Sequence, residues 1–549
     1  MTDAPLPSQA AAAGWEALAE GAWQRARSRF DTALSQHDDA DALEGLSWAA
    51  WWLEDTDTCI DARERAYRAY RDAGDDRAAA RMALWLSDDH ADLRGEPAVA
   101  EGWFSRAARL AADLEPCPEQ GWLAVFEAHD ALARDALDLA RRRAADAAEI
   151  GRQHGQVDLE MFAVATSGIA HLRTGEVDLG LRQLSEAATA ALAGEYENLV
   201  PASWSCCLLI AACEDRRDYD RGAQWCEQVA AFSERTHAWF LRGVCNAHYG
   251  AILTWRGRFR DAERVLVTAT ESLTERRPTW RPEALVRLGE LRRLRGEQAE
   301  ATRLFEAAGA HPLAQRGLAA VRLDQGDAAG ARDLLERMLR QLPPEHGARR
   351  TDALELLVRA ELALEHHQAA HGHAEELRSI ADRVATTALR AAASAATGRV
   401  ALASGDHEPA CDRFEDAIDL LLRDQAPLEA AAVRVDLAVA LEAAGRPDAA
   451  VREARAALAT LQEIRPVERE RAAAVLGRCR GEDAGNDTLT ARQVEVLRLI
   501  AEGLSDHEMA ERLLLSEHTV HRHVANIYTR LGCSTRAAAV ARASRLGIL

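Results

Sequence analysis

From about residue 12 to about residue 480, apolar side chains recur every third or fourth position, and alternating β-branched stretches are almost absent. That period is helical, so the stretch predicts one amphipathic helix after another. A longer period lies on top of it. A glycine is followed by a small residue five positions on, an apolar one nine on, and a small or apolar one twelve on. Gly21-Ala26-Phe30-Ala33, Gly95-Ala100-Phe104-Ala107, Gly175-Gly180-Leu184-Ala187 and Gly257-Ala262-Leu266-Ala269 fit the pattern. So do Gly296-Ala301-Phe305-Ala308, Gly326-Ala331-Leu335-Met338, Gly405-Ala410-Phe414-Ala417 and Gly445-Ala450-Ala454-Ala457. Weaker copies centre on Ala62, Ala136, Gly222 and Ala370. A nearly constant period of about forty residues is the mark of a repeat architecture. The glycine is expected to end one helix in a left-handed turn, the small residue to let the next helix approach, and the larger apolar residue to fill the gap. About twelve such pairs would stack into a curved solenoid with a concave binding surface, each pair burying its face only against its neighbours. A compact bundle of unrelated helix pairs fits the regular period poorly.

This pattern resembles the tetratricopeptide repeat, in a degenerate form slightly longer than its usual length of about 34 residues. All 13 tryptophans fall between Trp15 and Trp280. They read as large core residues between helices, with an aromatic-lined ligand groove as the alternative. From Gly477 to Thr488 the chain turns polar, which marks a linker at 481–488. The expected fold is therefore all-α: a helical-repeat solenoid over 1–480, the linker, and a small four-helix domain over 489–549.

In that last stretch the start signals of short helices are intact. Thr490 with Gln493 and Ser505 with Glu508 have the spacing of capping boxes. Two helices between Ser505 and Asn526 join at Leu515-Ser516, with Ser516 as the second N-cap, the spacing of a helix-turn-helix. In the second helix Val520, Val524, Ile527 and Leu531 form one stripe that should pack inward. His518, Arg522, Ala525, Asn526 and Thr529 project opposite, with His521 on the flank. Arginine can pair with guanine edges and asparagine with adenine, so this face has the chemistry of a base reader. His518, Thr519, His523 and Arg530 are placed to meet phosphates.

The segment closely resembles the LuxR-type DNA-binding domain. The likeness rests on Leu489, Thr490, Arg492, Glu495, Val496 and Leu497, then Gly503, Leu504, Ser505, Glu508 and Ala510. It continues through Ser516, Thr519, Val520, His523, Asn526, Ile527, Leu531 and Gly532. Gln493, Asp506, Met509 and Arg530 depart from the family pattern, as does His521, where the family usually carries a groove-facing lysine. The resemblance implies double-stranded DNA as partner, with Thr490, Arg492, Ser505 and Ser516 joining the helix residues above as contacts. It also implies a homodimer formed through the last helix, Thr535 to Leu546, and a two-fold related operator.

Composition narrows the choices. The chain has 549 residues and a net charge of −21, and all 67 basic residues are arginine. From Leu489 onward eight arginines face six carboxylates, so the acidity lies in the array and any DNA contact must be local. Without lysine a P-loop is excluded, and with it the N-terminal ATPase that large LuxR-type regulators often carry. A receiver domain is disfavoured for the same reason. No nucleophile elbow or zincin motif occurs. His366, His367, His371 and His373 cluster, but they read as a solvated turn rather than a metal site. Ten cysteines are scattered without a C-x-x-C pair, and the adjacent Cys206 and Cys207 read as core rather than as a redox centre. No cationic, apolar leader opens the chain, and the apolar run Leu199–Cys213 is short of the ~20 residues a membrane helix needs, so a cytoplasmic location is expected. The reading is a transcription regulator, not an enzyme and without a cofactor. A peptide, protein or small molecule on the repeat array would regulate it. The competing reading is an interaction scaffold whose C-terminal domain no longer reads DNA, for which His521 and the acidic bulk speak.

Overall fold

The computed structural model describes residues 9–35, 39–342, 347–462, 464–486, 489, 491–513, 515, 517–531, 533, 535–545 and 548–549. All regular structure among them is helical. Twelve helix pairs follow one another, from Gln9–Ala19 with Trp23–Leu34 to Pro427–Ala443 with Pro447–Leu461, and the single helix Pro466–Asn486 packs on the last pair. That helix runs on through the first six positions of the expected linker, a stretch with no proline to stop it; residues 487 and 488 lie outside the described part. Four short helices complete the chain.

The turn inside every pair holds a residue in the left-handed region. In eight pairs it is the glycine of the sequence pattern, from Gly21 (φ 70°) to Gly445 (φ 71°). In the four weaker copies Glu54, Asp135, Arg217 and Glu365 take that conformation, at a cost of roughly 1–2 kcal/mol each. The small residue five on is buried in each strong copy, and Phe30, Leu184, Leu266, Phe305 and Phe414 are at most 1% exposed.

What those five side chains fill is a second glycine, seven positions before the first. A Cβ added at Gly14 would stand 2.6 Å from the Phe30 ring, at Gly250 2.4 Å from Leu266, and at Gly398 2.8 Å from Phe414. Gly168 and Gly289 are filled in the same way by Leu184 and Phe305. The first helix of the next pair closes the other side of some rings: a Cβ at Gly45 would lie 2.2 Å from Phe30, and one at Gly317 2.3 Å from Phe305. The ring is thus clamped between two helices with no side chain opposite it. The sequence carried this second glycine in plain view, but a pattern anchored on the turn did not reach back to it.

Pairs also meet non-neighbours, contrary to the expectation that each touches only the next. Trp23 Nε1 donates to the His237 carbonyl at 3.1 Å, and Thr386 Oγ1 to the Arg216 carbonyl at 3.0 Å. Arg217 bonds Asp352 at 2.6 Å and Glu355 at 2.9 Å, and the Arg465 amide donates to the Leu294 carbonyl at 2.6 Å. The turn of one pair meets the chain four to five pairs later, so the solenoid is wound tightly enough for successive superhelical turns to touch.

Of the tryptophans, Trp23, Trp48, Trp51, Trp52 and Trp85 are buried, and Trp23 stacks on Trp52 with centroids 4.9 Å apart. Arg63, fully buried, lies 4.3 Å from the Trp48 ring centre and pairs with Asp89 at 2.8 Å. Trp122 and Trp204 stay half-buried among Phe126 and Phe162. Further along, ion pairs tie the first helices of consecutive pairs together. Glu214 accepts from Arg287 at 2.7 Å and meets His248; Arg287 also reaches Glu283 at 2.7 Å, and Glu283 meets His311 at 3.1 Å. Burial alone would raise the Glu214 carboxyl, but the Arg287 guanidinium and then His248 outweigh it and hold the pKa at about 2.

Two outcomes follow. Gly317→Ala gains up to about 1 kcal/mol of helix propensity but overpacks a clamped ring at a cost of about 1–3 kcal/mol, so it should lower the thermal midpoint. Gly372→Ala, with nothing within 4 Å of the added Cβ, should raise it; equal shifts in melts followed by circular dichroism would refute the clamp. A carboxylate with a depressed pKa supplies stability that is present above its unfolded pKa of about 4.5 and is lost as pH falls toward 2. Melts taken over that window should therefore show a steep loss. Glu214→Gln, already weaker at neutral pH because Arg287 loses one of its two carboxylates and keeps Glu283, should show a smaller further loss. An undiminished acid drop in the variant would remove Glu214 from the account.

Candidate nucleic-acid interface

The four terminal helices are Ala491–Ala501, Asp506–Leu513, Glu517–Leu531 and Arg536–Arg545. Their shared core contains Leu489, Val496, Leu497, Ile500, Met509 and Ala510, with Ala539 and Ala543 from the last helix. Val520, Val524, Ile527 and Leu531 complete it, none more than 5% exposed, so the predicted inward stripe of Glu517–Leu531 is the packed one. The opposite side of that helix then has to face outward. His521 and Ala525 are exposed on it, with Thr519 and His523 half-buried. His518, Arg522, Asn526, Thr529 and Arg530 lie along the same helix, and their side chains are outside the described part, as are residues Thr490 and Ser516 altogether.

Local chemistry fixes the helix ends. The Ser505 amide donates to Glu508 Oε2 at 2.8 Å and the Glu508 amide to Ser505 Oγ at 3.3 Å, a closed capping box. Those bonds from Ser505 hold the Glu508 carboxyl below its ordinary pKa. Arg492 donates to Glu495 at 2.6 Å and to the Leu513 carbonyl at 2.7 Å, so it satisfies the open end of the second helix from the first. Arg536 binds the Leu504 carbonyl and Asp506, which fastens the last helix to the loop before the second. His507 meets Glu517 across the two helices of the motif; that hydrogen bond, then the charges of Glu517 and Glu511, raise the histidine's pKa. The sequence placed Arg492 and Ser505 among DNA contacts, and in the free chain both are engaged in holding the domain together. Arg536 and His507, which do the same work, were not singled out. Asp506 and His521, two departures from the family pattern, stand 3.4 Å apart.

Residues 487–543 match the profile of bacterial regulatory proteins of the luxR family. The C-terminal unit is a LuxR-family helix-turn-helix domain. Over 71 residues it is 39% identical to the HTH-type quorum sensing-dependent transcriptional regulator VjbR of Brucella ovis, covering 13% of this chain and 27% of that one. Over 62 residues it is 37% identical to the HTH-type transcriptional regulator AlkS of Alcanivorax borkumensis, covering 11% of this chain and 7% of that one. The chain thus spans only a small part of these relatives' own length. Among solved structures, the crystal structure of the APC/C hetero-tetramer Cut9-Hcn1 is similar at 14% identity and a TM-score of 0.45, covering 85% of this chain and 95% of that chain.

Outside the LuxR-family domain, the described residues of the array line a half-open pocket. A cavity of about 360 Å³ lies where successive superhelical turns touch, lined among others by Val177, Arg217, Tyr219, Thr386 and Asp424. Burial, and then the nearby Asp220 and Asp218, raise the Asp424 pKa against the bond from Thr387. The sequence could not mark this space, because its walls come from residues some two hundred positions apart. Of the histidine cluster, His366 pairs with Glu361 at 2.7 Å and His367 and His371 are exposed. Among the described residues no helix is long and apolar enough to cross a membrane.

Proposed function

We propose that the helix at 516–531 enters the major groove and reads sequence, and that binding of a ligand or a protein to the helical array regulates this. The observation that carries the first half is the packing of Val520, Val524, Ile527 and Leu531, which leaves the His521, Arg522, Ala525 and Asn526 side of the helix for bases. Thr529 continues the base-reading side; His518, Thr519, His523 and Arg530 take phosphates in this reading, with Thr490 and Ser516 at the helix starts. Arg492 and Ser505 support that surface from beneath. The array is assigned to 1–480, the connection to 481–488 and the reader to 489–549. A homodimer forms through the outer side of Arg536–Arg545, where the exposed Ala537 and Ala541 are small enough for a second copy to approach closely. A cavity of about 360 Å³ falls in the size range of small-molecule sites, which supports an effector on the array.

Arg522→Ala tests the reader. A bidentate contact to a base is worth about 1–3 kcal/mol of discrimination. The variant should bind the preferred sequence of the wild type some 5- to 150-fold more weakly, while its affinity for random DNA changes little. An equal loss on all sequences would make Arg522 a phosphate contact and overturn the assignment.

A further inference from the structure

Ten cysteines are free, and eight of them are buried. Cys207 and Cys245 differ. Their Sγ atoms stand 3.8 Å apart although 38 residues separate them. They sit on Leu199–Asp215 and Trp239–Trp255, the first helices of two consecutive pairs. Cys245 is 6% exposed, whereas Cys207 is partly open to solvent. Read from sequence, Cys206 and Cys207 form one core pair. Adjacent residues on a helix point about 100° apart, and here only Cys206 faces the core, at 0% exposure.

We infer that Cys207 and Cys245 form a redox-active dithiol, a modification site that a hydroperoxide closes to an intramolecular disulfide. The roles follow from access. Cys207, the more open sulfur, attacks the peroxide as thiolate: its S–O bond forms as the O–O bond breaks, and the leaving oxygen departs as water or alcohol once protonated. Cys245 then attacks the Cys207 sulfur. The S–S bond forms, the S–O bond breaks, and the hydroxide leaves as water with the Cys245 proton. Two thiols lose two electrons and the peroxide gains them. The Cys207 thiol beside it, and burial, hold the Cys245 pKa up, which suits a resolving thiol that stays protonated until its partner is oxidised.

Closure has a mechanical consequence. A disulfide needs its sulfurs about 2.05 Å apart, so the two sulfurs must approach by nearly 2 Å, by side-chain rotation together with a shift of the two helices. Cys207 lies two helical turns before Glu214 and Cys245 one turn before His248, the residues that meet in the ion-pair node with Arg287. Drawing the helices together on one side of that node tilts the two pairs against each other. In a solenoid whose successive turns touch, a tilt at one joint shifts contacts five pairs away. This inference stands apart from the DNA reading and survives its failure.

The test uses the full chain in three forms besides wild type: Cys207→Ser, Cys245→Ala and Cys206→Ser. Each is treated with excess hydrogen peroxide, alkylated, digested and sequenced by mass spectrometry, with free thiols counted in parallel. Wild type and Cys206→Ser should each give a 207–245 cross-linked peptide and lose two thiols per chain, both restored by dithiothreitol. Cys207→Ser should give neither. Cys245→Ala should give no cross-link and should accumulate a sulfenic acid at position 207, trapped by dimedone. The partly exposed Cys533 serves as an internal reference for unassisted oxidation. A wild type that loses Cys533 thiol first and never forms the cross-link would overturn the inference. So would a cross-link that runs through Cys206.

Discussion

Phe30, Leu184, Leu266, Phe305 and Phe414 each occupy the space where a glycine on the preceding helix has no side chain, and this contact sets how far apart the two helices of a pair can lie. The turn glycine reverses the chain, the small residue five on brings the second helix close, and the large one nine on locks into the bare backbone opposite. The turn pattern recurs about every forty residues and the glycine fit in five of the twelve pairs, and stacking pairs of this kind winds the chain into a superhelix. The superhelix, its closure onto itself after four to five pairs and the cavity between its turns all derive from that stacking. A tight interior leaves little room for adjustment, since close-packed cores respond to even one extra methylene.

Charge organises what packing leaves over. The chain is acidic and uses arginine for every cation. Arginine suits the role it has in the second half of the array, where Arg287, Arg293, Arg217 and Arg465 each serve two or more partners across neighbouring helices or superhelical turns. A planar fork with five donors can do this, and a lysine ammonium could not hold the same geometry. In the terminal domain the same chemistry is economical. Arg492 and Arg536 close helix ends, and Ser505 with Glu508 caps the second helix.

Much of this was legible in the sequence, for physical reasons that can be named. Helical period, turn glycines and capping boxes are local signals, and they placed the twelve pairs and the four terminal helices. The inward stripe of Glu517–Leu531 followed from spacing alone. What stayed hidden was long-range. Nothing in the local pattern says that Trp23 meets His237, that Arg217 crosses to Asp352, or that Cys207 faces Cys245, because superhelical pitch is the sum of many small rotations. The polar stretch after Gly477 read as a linker because glycine and asparagine favour turns, yet the helix from Pro466 persists to Asn486. The bonds of Arg492 to the Leu513 carbonyl and of Ser505 to Glu508 within the folded domain are a further feature that motif spacing alone does not give in full.

The account's central claim is that an acidic helical array carries a domain that reads DNA sequence. Selection of bound DNA from a fully randomised pool by the full-length chain, at fixed salt over several rounds of gel shift, tests it most directly. A two-fold related motif should emerge and sharpen from round to round. A pool that stays random, with binding that fades uniformly as salt rises, would contradict the claim and leave the protein an interaction scaffold.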